Sequence, residues 1–441
     1  MANAAVTQIP SARKLRVADT STPVVVVSLA THGPLCISRS LGRLGIPVHA
    51  VHSRESEPAQ YSRYLRRIWR WDFPYSSRGA LETLERVSRD LGRRAILLPT
   101  SDETSIFVVE NQATLRQWFD FPKQPIAVPR TLSDKKEMYF FAKAHGIPTP
   151  ETLFPQCRED VVQFAREVQF PLMLKSIDGA RSMRRNGMKM VVVHDTQELL
   201  DCYDKFEDPF EPNFMLQQYI PGGDDTIWMF NGYFNENSDC LFGVTGKKIR
   251  QHPVSYGCTS LGICLKNDTV DQTTRRLMKA IGYRGILDIG YRYDARDGQF
   301  KVLDINPRIG CTFRLFAAEN GLDVARALYL DLTGQPVPES HVSEGRKWMV
   351  EATDFKSCLA YRRKGQLTLS QWLQSFGGIQ EVALFAWDDM LPFLDVISRL
   401  AAAGVKKLLR RIVGRRRSAW RDRDNVAPLV TPVTNASNRA A

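Results

Sequence analysis

At 441 residues the chain has room for roughly three structural units of about 150 residues each. Hydrophobic residues make up 43% and aromatic residues 10%, which supports a buried core and excludes wholesale disorder. The eight cysteines form no C-x-x-C pair, so neither a disulfide framework nor a thiolate metal site is expected, and a reducing cytoplasm suits the chain. The longest largely apolar run, Val24 to Ala30, falls far short of the ~20 residues that cross a bilayer. No secretory-signal pattern occupies the first twenty residues.

The net charge of +12 gathers near the end, at Lys406, Lys407, Arg410, Arg411, Arg415, Arg416, Arg417 and Arg421. With the apolar residues from Leu391 to Val405 ahead of it, the 391–421 segment reads three ways. It is a solvated tail, a basic amphipathic helix on the anionic inner face of a membrane, or, least favoured, a contact with nucleic acid.

In chain order, residues 1–22 read as a flexible arm. A strand, Val24–Val27, leads through Thr31-His32-Gly33-Pro34 into a helix from Leu35 to Leu44, and Ile46–Val51 is the next strand. That is one βαβ unit, and it recurs with a helix at 81–91 and a strand at Ala95–Leu98. Asp102 and Glu103 follow that strand, where parallel sheets collect ligands. Gly33 by itself is a helix-start turn rather than a full phosphate loop. This first, Rossmann-like unit runs over 23–130.

The second unit spans 131–340. Ser133 suits an N-cap, and Gly146 to Pro150 stops the helix it opens. Phe170–Lys175 and Met190–Val193 read as a hairpin whose long polar loop, Ser176–Gly187, carries Arg181, Arg184 and Arg185. Such loops act as lids, or are simply mobile and solvated. Phe214–Ile220 reads as an edge strand. Residues 341–400 form a small C-terminal extension and 401–441 a basic tail.

The chemistry concentrates in Gly285–Arg308. Alternation sets Ile286, Asp288, Gly290 and Arg292 on one face of a strand, and Val302, Asp304 and Asn306 on one face of its partner. A three-residue turn, Arg296-Asp297-Gly298, pairs 295 with 299, and so Asp304 with Gly290 and Asn306 with Asp288. Opposed Cβ atoms lie about 5 Å apart, so three oxygen-bearing side chains surround one point. That set suits a magnesium ion arriving with nucleotide oxygens, with Arg308 near the same phosphates. A plain polar face, with Asp304 paired to Arg292, is the competing reading.

These residues resemble a known family, the ATP-grasp carboxylate–amine ligases, in the branch that includes D-aspartate ligase. Leu303-Asp304-Ile305-Asn306-Pro307-Arg308 is similar to the family's magnesium strand. Ser133-Asp134-Lys135, Phe170 to Lys175, Leu216 to Gly223 and Lys247 to Pro253 are similar to its nucleotide-binding segments. Trp387 to Pro392 resembles a closing motif. The resemblance implies an α/β, ATP-grasp fold behind an N-terminal Rossmann-like domain, with ATP and Mg2+ as cofactors. It implies that Lys135 and Lys175 bind phosphates, that Gln217, Gln218 and Ile220 clasp adenine, and that Asp225 meets ribose. Asp288, Asp304 and Asn306 hold the metal, with Arg250 and Arg308 at the reacting phosphate. The substrates would be a small carboxylate such as an amino acid, and an amine. Two departures stand out: the usual glutamate is Asp304, and Gly290 occupies another ligand position. They leave room for a carboxylase or carbamoyl-phosphate-type enzyme, or a nucleotide-binding regulatory protein with a decayed site.

Overall fold

A computed structural model describes residues 14–53, 56–71, 77–254 and 256–403. Its first sheet is wholly parallel, built from β1 (Val24–Val27), β2 (Val48–His52), β3 (Leu65–Arg70), β4 (Ala95–Pro99) and β5 (Phe119–Asp120) in the order β3-β2-β1-β4-β5. The four valines of β1 are fully buried on both faces. Val24 and Val26 pack with Ile37 and Leu41 of the helix Gly33–Gly42. Val25 and Val27 pack with Leu84 and Val87 of the helix Ser77–Leu91. A strand covered on both sides needs an unbroken β-branched run rather than alternation, and four valines supply it.

The chain next forms a four-stranded sheet from β6 (Thr152–Leu153), β7 (Leu172–Ser176), β8 (Met190–Val193) and β9 (Phe214–Gln218), ordered β6-β9-β7-β8. Leu172, Leu174, Phe214 and Leu216 bury one face against the helices Arg158–Glu167 and Thr196–Phe206. The other face carries Met173 and Lys175 opposite Gln217 and Met215. Gln217 therefore lies on an interior strand, not an edge: β6 also pairs with β9, through Thr152 and Gln217.

The third sheet has seven strands: β10 (Ile227–Phe234), β11 (Cys240–His252), β12 (Cys258–Cys264), β13 (Gly285–Asp294), β14 (Gln299–Asn306), β15 (Lys347–Met349) and β16 (Ile379–Val382), ordered β14-β13-β10-β11-β12-β15-β16. Phe230, Leu287, Ile289, Tyr291 and Ile305 bury one face with Val270 and Leu277 of the helix Asp268–Ala280. The stretch 341–400 gives this sheet two strands, so it is woven in rather than appended.

Three local expectations change. Of the arm, residues 1–13 lie outside the described residues, but 14–22 are anchored: Leu15 is buried and its N–H donates to Asn320 O at 2.9 Å. The helix Lys135–Ala144 is capped by Asp134, whose carboxylate accepts from the Lys136 and Glu137 N–H groups, while Ser133 ends a short preceding helix. The 176–187 segment holds a helix, Gly179–Asn186. Its Arg181 and Arg185 pair with Asp208 at 3.0 and 2.6 Å, so they are engaged away from any phosphate. The basic tail from 404 onward lies outside the described residues. Among the described residues no helix is long and apolar enough to cross a membrane.

The Trp387-Asp388-Asp389 motif is a clasp between the chain's two ends. Buried Asp389 accepts from Arg39 Nε at 2.9 Å, Ser62 Oγ at 2.7 Å and Arg63 N at 2.9 Å. Asp388 accepts two bonds from Arg43 at 2.8 Å and one from Tyr64 Oη at 2.6 Å. The ion pair of Arg39 and Asp389 is buried on both sides, so leaving either partner alone costs about 3–5 kcal/mol.

Candidate active site

The hairpin β13–β14 brings the expected oxygens together. Asp288 pairs with Asn306 and Gly290 with Asp304. The turn is nevertheless one residue longer than expected, since Asp294 pairs with Gln299. Fully buried Asp294 dictates that turn by accepting from Arg296 N at 3.1 Å, Arg296 Nη2 at 2.7 Å and Lys301 Nζ at 2.8 Å. A bulge at Leu303 then absorbs the extra residue, and Val302 joins the apolar core instead of sharing a face with Asp304.

Within the hairpin, Asn306 Nδ2 donates to Asp304 Oδ2 at 2.9 Å, and Arg308 Nη2 donates to Asn306 Oδ1 at 3.1 Å. Arg308 Nε also donates to Asp102 Oδ1 at 2.7 Å. Asp102 follows β4, so this ion pair ties the crevice of the parallel sheet to the large sheet. Arg292 does not pair with Asp304: its Nη2 donates to Gly222 O at 2.6 Å, and its guanidinium lies over Tyr219.

The two carboxylates have space kept for them. A Cβ on Gly290 would fall 2.6 Å from Asp304 Oδ1, and one on Gly310 would fall 2.4 Å from the Asp288 carboxyl carbon. Burial pushes the Asp288 carboxyl up to about 6, with Arg308 opposing and Asp304 adding to the rise. Beside it on β10, across the strand pair, stands fully buried Asn231, whose Oδ1 has no hydrogen-bond partner.

Lysines face these carboxylates. Burial in the cleft pulls the Lys175 ammonium down to about 8, aided by nearby Lys135 and opposed by Asp304. Lys135 is lowered by burial as well, with Asp178 and Asp304 opposing, and its Nζ donates to Ile177 O. On β11 the cation is Lys248, lowered by burial against the fields of Asp304, Asp224 and Asp288. Lys248 Nζ donates to Gln251 Oε1 at 3.1 Å and Gly257 O at 2.8 Å.

Arg250, expected at this site, is elsewhere. The register of β11 slips at Ile249, setting Lys248 opposite Gly262 but Arg250 opposite Leu261. That breaks the alternation which would have put the two cations on one face. Arg250 is 4% exposed and makes two 2.9 Å bonds to Asp354 of the helix Glu351–Arg363. Lys248 and Asn231 were missed as individuals. The one available signal for Asn231 was a lone amide within the apolar run Trp228 to Phe234.

Gln217 shares the face of β7 and β9 that bears Lys175, and its Nε2 donates to Thr152 Oγ1 at 3.0 Å. Pairing in that sheet ends at Gln218, whose N–H donates to Glu151 O at 2.8 Å, and Ile220 is buried just beyond. Asp225 is exposed on a short turn, where neighbouring Asp224 is the carboxylate engaged by Gln251 Nε2 at 2.7 Å and by Tyr361 Oη.

No protein-family model matches the chain. It is 24% identical over 307 residues to D-aspartate ligase of Enterococcus faecium, covering 65% of this chain and 72% of that protein. Over 230 residues it is 24% identical to the carbamoyl phosphate synthase large chain of Thermus thermophilus, covering 21% of that protein. The fold aligns with the L-amino acid ligase of Bacillus licheniformis at a TM-score of 0.53 and 14% identity, covering 74% of this chain and 76% of that one. It aligns with the ADP complex of N5-carboxyaminoimidazole synthetase from Staphylococcus aureus at 0.57 and 12% identity, covering 75% and 81%. The chain has the ATP-grasp fold. The parallel sheet comes first in the chain, ahead of the four-stranded and seven-stranded sheets.

Magnesium can be tested against the donors present. Among the described residues no three His, Cys, Asp or Glu side chains converge on one point. Two carboxylates and an amide are nonetheless the set expected for an ion that takes its remaining oxygens from phosphates and water. The clearance at Gly290 and Gly310, and the raised Asp288 carboxyl, fit a cation there.

Thr31, a β-branched residue at φ 73°, and Ser28, at φ 76°, hold left-handed backbone just past β1, a conformation that persists only where surroundings enforce it. Burial pushes the His32 imidazole down to about 4, so it is neutral, and its Nε2 has no partner.

Proposed function

We propose that the chain is an ATP-dependent carboxylate–amine ligase. A substrate carboxylate oxygen attacks the γ-phosphorus of ATP, giving an acyl phosphate and ADP. An amine nitrogen then attacks the acyl carbon, phosphate departs with the bonding pair, and the nitrogen releases its proton to solvent, leaving an amide. The observation that carries this reading is the meeting of Lys135, Lys175, Lys248 and Arg308 around Asp288, Asp304 and Asn306, between two sheets. Four cations and a ligand-poor acidic pair suit a polyanion that brings its own oxygens.

In this reading Lys135 and Lys175 orient the triphosphate, and the backbone of Gln217, Gln218 and Ile220 meets adenine. Asp225 accepts from ribose hydroxyls. Asp288, Asp304 and Asn306 would hold Mg2+, which when bound neutralises phosphate oxygens. Arg308, steadied by Asp102, and Lys248 stabilise charge on the transferring phosphoryl group. Such transfers rest on positioning and charge rather than covalent help from side chains. The likeness to D-aspartate ligase and L-amino acid ligase supports an amino acid as one substrate. A reaction that draws on the cellular ATP pool fits a cytoplasmic location.

A second reading, a bicarbonate-activating enzyme, is favoured by the likeness of half the chain to carbamoyl phosphate synthase. ADP release by the purified chain, screened over amino acids, amines and bicarbonate, separates the two. The ligase reading expects turnover only with a carboxylate and an amine present, abolished in Asp304→Ala. Turnover on bicarbonate alone favours the second reading, and ADP release under no condition removes both.

A further inference from the structure

The helix over 391–403 has two unlike faces. On one, Pro392 is buried and Phe393 and Val396 pack half-buried against the main core. Arg399 pairs with Asp395 at 2.8 Å and donates to Ser56 O at 2.6 Å and Ser56 Oγ at 2.7 Å, pinning the helix to the N-terminal domain. On the other face Leu391, Leu394, Ile397 and Leu400 point outward at steps of three, between 44% and 61% exposed. Trp387, four residues before Leu391, is 82% exposed, its ring edge-on to Phe385 at 4.7 Å. Single exposed apolar residues are ordinary, but a row of four along one helix face marks a contact surface.

The sequence that follows decides the occupant. Residues 404–421 contain eight lysines and arginines and no aspartate or glutamate. A second copy docked on the stripe would bring two such cationic stretches together, and their repulsion opposes it. RNA would use the cations and leave the apolar row in water. An anionic bilayer uses both, since leucines and a tryptophan settle at the headgroup boundary while the cations are drawn to its surface charge.

We propose that the helix face formed by Leu391, Leu394, Ile397 and Leu400, with exposed Trp387 ahead of it in the chain, docks this protein on an anionic lipid surface, to which the basic sequence after residue 403 is complementary in charge. The contact is peripheral.

Vesicle flotation of the full chain tests this, using phosphatidylcholine alone and phosphatidylcholine mixed with phosphatidylglycerol. The wild type is expected to float with the mixed vesicles only, and less as salt rises. Partitioning should fall at least ~10-fold in Leu394→Glu/Ile397→Glu and in Lys406→Gln/Lys407→Gln/Arg410→Gln/Arg411→Gln. The stripe residues are exposed, so the double variant should keep the wild-type melting midpoint and ADP release. A blue shift in tryptophan emission on vesicle addition should vanish in Trp387→Phe. Flotation of the double variant equal to wild type overturns the proposal, as does absence of wild-type flotation. Overturning it too would be a dimer that dissolves in the stripe variant, or salt-sensitive RNA binding that ignores the stripe, in a protein that binds no vesicles.

Discussion

Arg250 offers the sharpest test, because its charge looks catalytic in the sequence and structural in the fold. Both partners of its pair with Asp354 are buried, at 4% and 1% side-chain exposure. Removing one partner of such a pair costs about 3–5 kcal/mol, since the other charge stays buried and alone. Asp354 would retain bonds from Ser260 Oγ at 2.9 Å and Trp372 Nε1 at 2.8 Å, which places Arg250→Met near the lower end. At ~2–4 °C per kcal/mol, about 3 kcal/mol lowers the melting midpoint by roughly 6–12 °C. Replacing both partners, Arg250→Met/Asp354→Leu, removes the orphaned charge and should recover part of that loss. The donors of Ser260 and Trp372 lose Asp354 and Ser375 Oγ loses the Arg250 N–H it accepted from, at about 1–3 kcal/mol, so recovery is incomplete. Below its midpoint the double variant should release ADP at close to the wild-type rate, whereas Lys248→Met should melt like wild type and lose turnover. Thermal unfolding and ADP release measured on the same samples decide the matter. Were Arg250→Met to melt with wild type while turnover collapsed, the assignment of Arg250 to the scaffold would be refuted.

Lys175 should make nucleotide affinity pH-dependent. Its free ammonium, lowered to about 8 by burial, is charged below that pH and must regain a proton above it to pair with phosphate. Affinity for ADP should therefore fall by up to ~10-fold per pH unit above about 8, and Lys175→Arg should flatten the profile, because a guanidinium stays charged; titration calorimetry at neutral and alkaline pH reads both. Gly290→Ala should push Asp304 Oδ1 aside, because its Cβ would lie 2.6 Å away, cutting ADP release at least ~10-fold with a stability change under about 1 kcal/mol. An unchanged rate would remove Asp304 from the site. Asp102→Asn keeps the shape but weakens its hold on Arg308; the pair is partly exposed, so stability should change by less than about 1 kcal/mol. Its kcat should still drop, and a wild-type kcat would make the pair merely an interdomain tie.

Much of the site was readable because β-alternation is local. The pairing of Asp288 with Asn306 and of Gly290 with Asp304 follows from the spacing of the hairpin, yet it is reached through a longer turn and a compensating bulge at Leu303. Bulges leave little trace in sequence, and the slip at Ile249 shows the cost: a basic strand was recognised, but its site-facing cation is Lys248 rather than Arg250. The 176–187 segment is polar because its helix lies outside the core, so composition reads as a loop what ion pairs to Asp208 hold as a helix. Asp388 and Asp389 had no local logic at all, since Arg39 and Arg43 lie nearly 350 positions away.

That clasp bears on how the protein is made. Arg39 sits in the first helix with its guanidinium buried, and its counter-charge, Asp389, leaves the ribosome hundreds of residues later. At about 5–20 residues per second, the nascent N-terminal domain waits tens of seconds with a cation it cannot neutralise. Its native packing therefore completes only once the other end of the chain has emerged, which makes a product stopped short of residue 389 a natural substrate for quality-control proteases.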